Sequence, residues 1–197
     1  RYQPTINNAG DENEADYIYQ VPNLENLVII YYGNGCRFTK LLRHNANHLV
    51  SLTIYDVDLD SELPELPQLR ELDISGGNYP LVISKCKESL QCLSIHLDGM
   101  WSLDDCAVTQ LKAIYVENYW DNYDDVQCSK ILSHNHKSLE FILLRDADIN
   151  NITLYDDVKL NRVKTVVLWT KDQLDNEYTE EDRAMLAEFC PNAEILI

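Results

Sequence analysis

The sequence predicts an α/β solenoid of about eight repeats, with a parallel sheet on the concave face and helices or irregular connectors on the convex face. Two observations carry this. The first is a recurring segment, L-x-x-L-x-I, read at Leu24–Ile29, Leu49–Ile54, Leu69–Ile74 and Leu90–Ile95. It recurs more loosely at Leu111–Val116, Leu139–Leu144, Val163–Leu168 and Cys190–Ile195. The second is the spacing of these starts, 25, 20, 21, 21, 28, 24 and 27 residues. A period in that range marks stacked strand–connector modules, none of which buries its apolar side alone.

Each element follows from this phase. The fourth and sixth positions of a repeat lie two apart on a strand and point into the core, so the third, fifth and seventh face the other way. Between strands, the longest gaps hold the best helical patterns. Asp124 to Lys137 gathers Val126, Ile131 and Leu132, and Thr179 to Phe189 gathers Met185, Leu186 and Phe189. Thr179-Glu-Glu-Asp182 has the form of a capping box. A shorter helix is expected from Thr39 to Ala46. Pro64 and Pro67 make their connector extended, and Gly76-Gly77-Asn78 marks a turn after a strand. Residues 1–20 do not fit the repeat and read as an acidic N-terminal tail or partly ordered cap, leaving 21–197 as the repeat domain. Beginning at Arg1, the sequence reads as a processed product or an excised fragment.

The repeats resemble leucine-rich repeats. His48-Leu-Val-Ser-Leu-Thr-Ile54 and Phe189-Cys-Pro-Asn-Ala-Glu-Ile195 are similar to the repeat units of F-box proteins and ribonuclease-inhibitor-like horseshoes, over about residues 21–197. The resemblance implies a horseshoe fold, protein–protein recognition, and docking to a cullin-type ubiquitin ligase if an F-box precedes this chain. The usual Asn or Cys a few residues after the strand is mostly absent. Tyr32, Val57 and Ala147 stand in such places, and the repeat lengths are uneven.

Composition bounds the function. The 197 residues are 45% hydrophobic and 25% charged, a globular balance, with 33 acids against 16 bases and a net charge of -17. A polyanion binder needs clustered Lys and Arg, and here they are scattered, which argues against nucleic acid and anionic membranes. The acids cluster after strands: residues 56–73 and 98–125 hold seven each, and 172–194 hold eight. They read as a negative rim that would steer a basic-surfaced protein partner.

The open face reads Asn26, Val28, Ile30; Ser51, Thr53, Tyr55; Glu71, Asp73, Ser75; Cys92, Ser94, His96; Ala113, Tyr115, Glu117; Phe141, Leu143, Arg145; Thr165, Val167, Trp169. Its last third, Tyr115, Phe141, Leu143, Val167 and Trp169 with Arg145 among them, has the aromatic-plus-Arg makeup of an interface hot spot. Tyr55, Asp73, His96 and Glu117 extend the candidate surface. Alternatively, the patch packs under a connector or tail, or the register slips by one residue and turns it into core. The six cysteines suit reduced thiols in a cytoplasmic or nuclear protein better than disulfides, with a secreted effector as the alternative. His134-Asn-His136 and the pair His44 and His48 lack further ligands of zinc-site spacing and read as solvated helix-end histidines. The Asp pairs 104/105, 124/125 and 156/157 read as loop or helix-starting residues. No catalytic motif is present, and neither an enzyme nor a cofactor is expected.

Overall fold

The computed structural model describes residues 5–7, 23–34, 36–58, 62–76, 79–97, 108–118, 125–147, 149, 152–154, 158–170 and 178–197. By its internal contacts the chain divides into two units, Arg1–Leu90 and Gln91–Ile197. The architecture is α/β: every strand pairs in parallel with the next in chain order within its unit.

The first unit holds strands β1 (Thr5–Asn7), β2 (Asn26–Asn34), β3 (Ser51–Asp58) and β4 (Glu71–Ser75), and helices α1 (Cys36–Asn45) and α2 (Tyr79–Cys86). Its strand cores are the fourth and sixth repeat positions. Leu27, Ile29, Leu52, Ile54, Leu72 and Ile74 are each at most 2% exposed, and Phe38, Leu41, Leu42, Val82 and Ile83 of the helices are buried as well. A register slip of one residue would move those six strand side chains into water, at a cost on the order of 10 kcal/mol from about 1.5–3 each. Among the described residues of the connector carrying Pro64 and Pro67, 62–70, there are turns and no helix. Thr5–Asn7 pair with Val28–Ile30, so part of the segment read as a tail or cap forms a strand.

The second unit holds β5 (Cys92–Leu97), β6 (Ala113–Asn118), β7 (Phe141–Arg145), β8 (Thr165–Trp169) and β9 (Glu194–Leu196), with α3 (Asp125–His134) and α4 (Glu180–Phe189). Leu93, Ile95, Ile114, Val116, Ile142, Leu144, Val166 and Leu168 are at most 3% exposed. The capping box opens α4 as expected: the Thr179 hydroxyl accepts from the Asp182 N–H and the Asp182 carboxylate accepts from the Thr179 N–H.

The same backbone bond starts most strands. The second-position carbonyl of one repeat takes the next repeat's N–H groups, as Glu25 O takes those of Val50 and Ser51, and Lys112 O those of Glu140 and Phe141. Three repeats carry a left-handed residue at the eighth position: Gly76 (φ 65°) and Asp146 (φ 52°), just past β4 and β7, and Asp56 (φ 54°), within β3. Asp and Gly are the residues that tolerate this conformation.

Two sequence expectations change. The Asn or Cys sought after the strand stands instead at the helix end, where Asn45, Cys86, Asn135 and Cys190 are all buried. The last repeat also shifts by two. Cys190 takes the helix-end place rather than the first repeat position, and Glu194, Ile195 and Leu196 pair with Thr165, Val166 and Val167. Because the shift is even, the inward and outward faces are kept.

Candidate functional site

The open face of the second unit is built from three rows that run across the strands. The register places Cys92, Ala113, Phe141, Thr165 and Glu194 in one row. Ser94, Tyr115, Leu143, Val167 and Leu196 form the next, and His96, Glu117, Arg145 and Trp169 the third. The side chains in these rows are half-buried except those of Trp169 (52%), Leu196 (43%) and Glu194, which are exposed. The register slip raised by the sequence therefore does not occur.

The middle row is apolar over four consecutive strands. Phe141 widens it, its ring centroid 5.4 Å from that of Tyr115 and tilted by 39°. With neighbouring strands roughly 4.8 Å apart, Tyr115, Leu143, Val167 and Leu196 make a continuous stripe about 14 Å long. Glu194 and Leu196 of the final repeat extend the sequence-derived face, which ended at Trp169.

The third row is a charge ladder. His96 Nδ1 lies 3.0 Å from Glu117 Oε2, and Arg145 Nη1 contacts the other Glu117 oxygen. The side chains of Glu117 and Arg145 are only 14% and 18% exposed. Arg145 Nε is buried, with the Asp146 carboxylate 3.7 Å away. The Arg145 guanidinium lies 4.1 Å from the centroid of the Trp169 ring, a cation–π contact worth about 0.5–1 kcal/mol where partly exposed. Arg145 thus belongs to the scaffold that holds Trp169. The seventh positions of successive repeats read His, Glu, Arg, Trp, and cross-strand adjacency makes that alternation a signal for the ladder.

Behind the ladder, the Tyr178 hydroxyl clasps the corner after β7, accepting from Ala147 N–H (3.0 Å) and donating to Ala147 O (3.1 Å). Tyr55 and Asp73 belong to the first unit, where the Tyr55 hydroxyl donates to Asp73 Oδ2 at 2.5 Å. They form a polar patch of that unit's open face.

The histidine pairs sit at helix ends. His44, His48 and His134 are exposed, and His136 Nδ1 lies 2.7 Å from Ser133 O. Among the described residues no group of three or more His, Cys, Asp or Glu could hold a metal ion, and no helix is long and apolar enough to cross a membrane. Cys86, Cys92, Cys128 and Cys190 form no disulfide, and burial pushes the Cys190 thiol up to about 12. Nine of the 22 acids of the rim lie outside the described residues, namely Asp60, Asp98, Asp104, Asp105, Asp121, Asp124, Asp172, Asp175 and Glu177, as do Asp156 and Asp157. Compared with known proteins, the chain matches no family model, no curated protein and no solved structure.

Proposed function

We propose that this chain is a non-enzymatic recognition module of the leucine-rich repeat type, which binds a basic-surfaced protein through the open face of its second unit. The single observation that carries this reading is the in-register stripe of Tyr115, Leu143, Val167 and Leu196, flanked by Phe141 and the exposed ring of Trp169. A large ring already seated on Arg145 gives up little rotamer freedom on binding, so its buried area is converted to affinity with less entropic loss. The charges of Glu117 and Arg145 are paired within the chain, which leaves the apolar stripe as the adhesive part and the net charge of -17 as the long-range attraction. A cytoplasmic or nuclear setting suits the described cysteines, which form no disulfide.

The test is affinity capture with quantitative mass spectrometry, using the wild type and a Trp169→Ala/Leu143→Ala double variant at low and high salt. Hot-spot losses of about 2 kcal/mol or more, roughly 30-fold in affinity, are expected for the double variant. A partner that both proteins retain equally, or whose binding ignores salt, removes the reading.

A further inference from the structure

The edge at which the second unit's strands begin carries an inference independent of the open-face stripe. Bases that lie far apart in the sequence are gathered there by the repeat. The second-position residues Lys112, Glu140 and Lys164 stand side by side just before β6, β7 and β8: Lys112 O receives the Glu140 N–H and Glu140 O the Lys164 N–H, each at 2.8 Å. With neighbouring strands roughly 4.8 Å apart, the three cover about 10 Å. Two turn residues join them. Arg162 donates from Nη1 to Lys137 O at 3.2 Å, which ties the turn before β8 to the turn before β7.

Charge on this edge runs against the rest of the chain. Lys112, Lys137, Arg162 and Lys164 are all exposed, four of the protein's 16 bases, and face Glu140 and, past Lys164, Glu194. The edge already holds one carboxylate. Lys164 Nζ lies 2.5 Å from Glu140 Oε2. The Glu140 carboxyl is held below the usual carboxylate range first by that hydrogen bond and charge, and then by the charges of Arg162 and Lys112. Three bases thus act on a single acid. Among the described residues Lys112 and Lys137 form no ion pair, and Arg162 commits one of its five N–H donors.

We propose that this edge binds a short acidic segment of a partner protein, three or four extended residues rich in Asp and Glu, whose carboxylates join Glu140 among Lys112, Lys137 and Arg162. A segment of that length spans about 10–13 Å at roughly 3.3 Å per residue, the width of the edge. At physiological ionic strength charges more than about 8 Å away are largely screened, so it responds to the local bases rather than to the net charge of -17. A nucleic acid or an anionic membrane extends past the edge and meets the chain's excess of acids, which disfavours both.

The probe is a rhodamine-labelled Glu-Glu-Asp-Glu peptide, titrated with the full chain at about 0.15 M salt and followed by anisotropy. Beside it run the Gln-Gln-Asn-Gln counterpart, an oligothymidine single strand and vesicles containing phosphatidylserine. The acidic peptide should bind with a Kd below about 1 mM, and its amide counterpart should not. Lys137→Glu and Arg162→Glu, exposed positions whose variants are checked for folding by circular dichroism, should each weaken binding on the order of tenfold. Glu140→Gln removes the carboxylate already in place and should strengthen binding about twofold or more. Lys40→Glu, at an exposed base of α1 in the first unit, should leave it unchanged. The proposal is overturned by an absence of binding, by equal binding of the amide peptide, or by full binding in both Lys137→Glu and Arg162→Glu. Unchanged or weaker binding in Glu140→Gln overturns it too, as does an equal loss with Lys40→Glu, or tighter binding of the oligonucleotide or vesicles that Arg162→Glu abolishes.

Discussion

Replacing Asn135 with Ala should destabilise the protein far more than replacing Cys86, although both occupy the same helix-end place. The Asn135 side chain is 1% exposed; its Oδ1 accepts the Leu111 N–H at 3.0 Å and its Nδ2 donates to Ile131 O at 2.8 Å. Asn45 does the same for Leu24 N–H and Leu41 O, at 3.0 and 3.2 Å. Where the helix ends in Cys, the first-position N–H is already served by the backbone. Leu69 N–H donates to Leu66 O at 3.2 Å and Val163 N–H to Leu160 O at 3.1 Å. Leu66 and Leu160 in turn donate to Lys85 O and Phe189 O, the carbonyls just before the two cysteines. Cys therefore stands where a backbone turn already supplies the acceptor. Removing the Asn135 amide strands the buried Leu111 N–H, at about 1–3 kcal/mol, and loses a second bond worth about 1, so the sum is roughly 2–4 kcal/mol. Cys86→Ala strands no backbone donor and should cost about 1–2 kcal/mol through lost packing. Urea unfolding followed by circular dichroism measures both. Hydrogen exchange at the Leu111 amide supplies the local readout, with about 30-fold or faster exchange expected in Asn135→Ala if local opening governs it. Equal losses for the two variants, or an unchanged Leu111 exchange rate, would refute the assignment.

Three further outcomes are expected. The Cys190 thiol is raised by burial to about 12, so the native state favours the neutral form. Its contribution to stability is complete below the unfolded value and is lost as pH rises from about 9 towards 12; Cys190→Ala should flatten the alkaline limb of a stability–pH curve relative to wild type. Gly76 sits at φ 65°, so Gly76→Val should cost about 1–2 kcal/mol or more in thermal unfolding, whereas Asp146→Gly, at the same repeat position, should be tolerated or slightly stabilising. The Glu140 carboxyl is held below the usual carboxylate range, first by its hydrogen bond to Lys164 and then by that residue's charge. Lys164→Ala should move its NMR titration upward with no measurable change in unfolding midpoint, since the pair is solvent-exposed.

Much of the fold was legible because the core obeys a fixed phase. Leu27 and Ile29, Leu52 and Ile54, and their counterparts recur two apart, and burial follows that alternation strand after strand. β1 was not legible: Thr5-Ile6-Asn7 offers three residues and no preceding Leu, and only pairing with β2 reveals it. The last repeat misled because Cys190 is a plausible substitute for a leucine at the first position, although its true equivalents are Asn45, Cys86 and Asn135 at helix ends. In the site, Tyr115, Phe141, Leu143, Val167 and Trp169 fell on one face from phase alone. The commitment of Arg145 to Glu117 and Trp169 required the cross-strand register, which unequal connectors conceal in a linear sequence. Glu194 and Leu196 join that face despite the two-residue shift, because an even shift preserves the alternation.

The two-residue shortening before β9 has a wider meaning for how this chain tolerates change in length. Strand phase is reset at each repeat by one backbone carbonyl, such as Lys112 O for Phe141 or Lys164 O for Glu194. Connectors upstream of that clamp are free to drift, which is why repeats as unequal as 20 and 28 residues share one pattern. Between helix end and clamp the chain behaves as a parity counter. Two residues fewer leave Ile195 facing inward, but a single residue inserted after Lys137 and carried into the strand would turn Phe141 into the core and Ile142 out to the open face. Length is therefore a soft variable over most of the molecule and a binary one over the few residues that precede each strand.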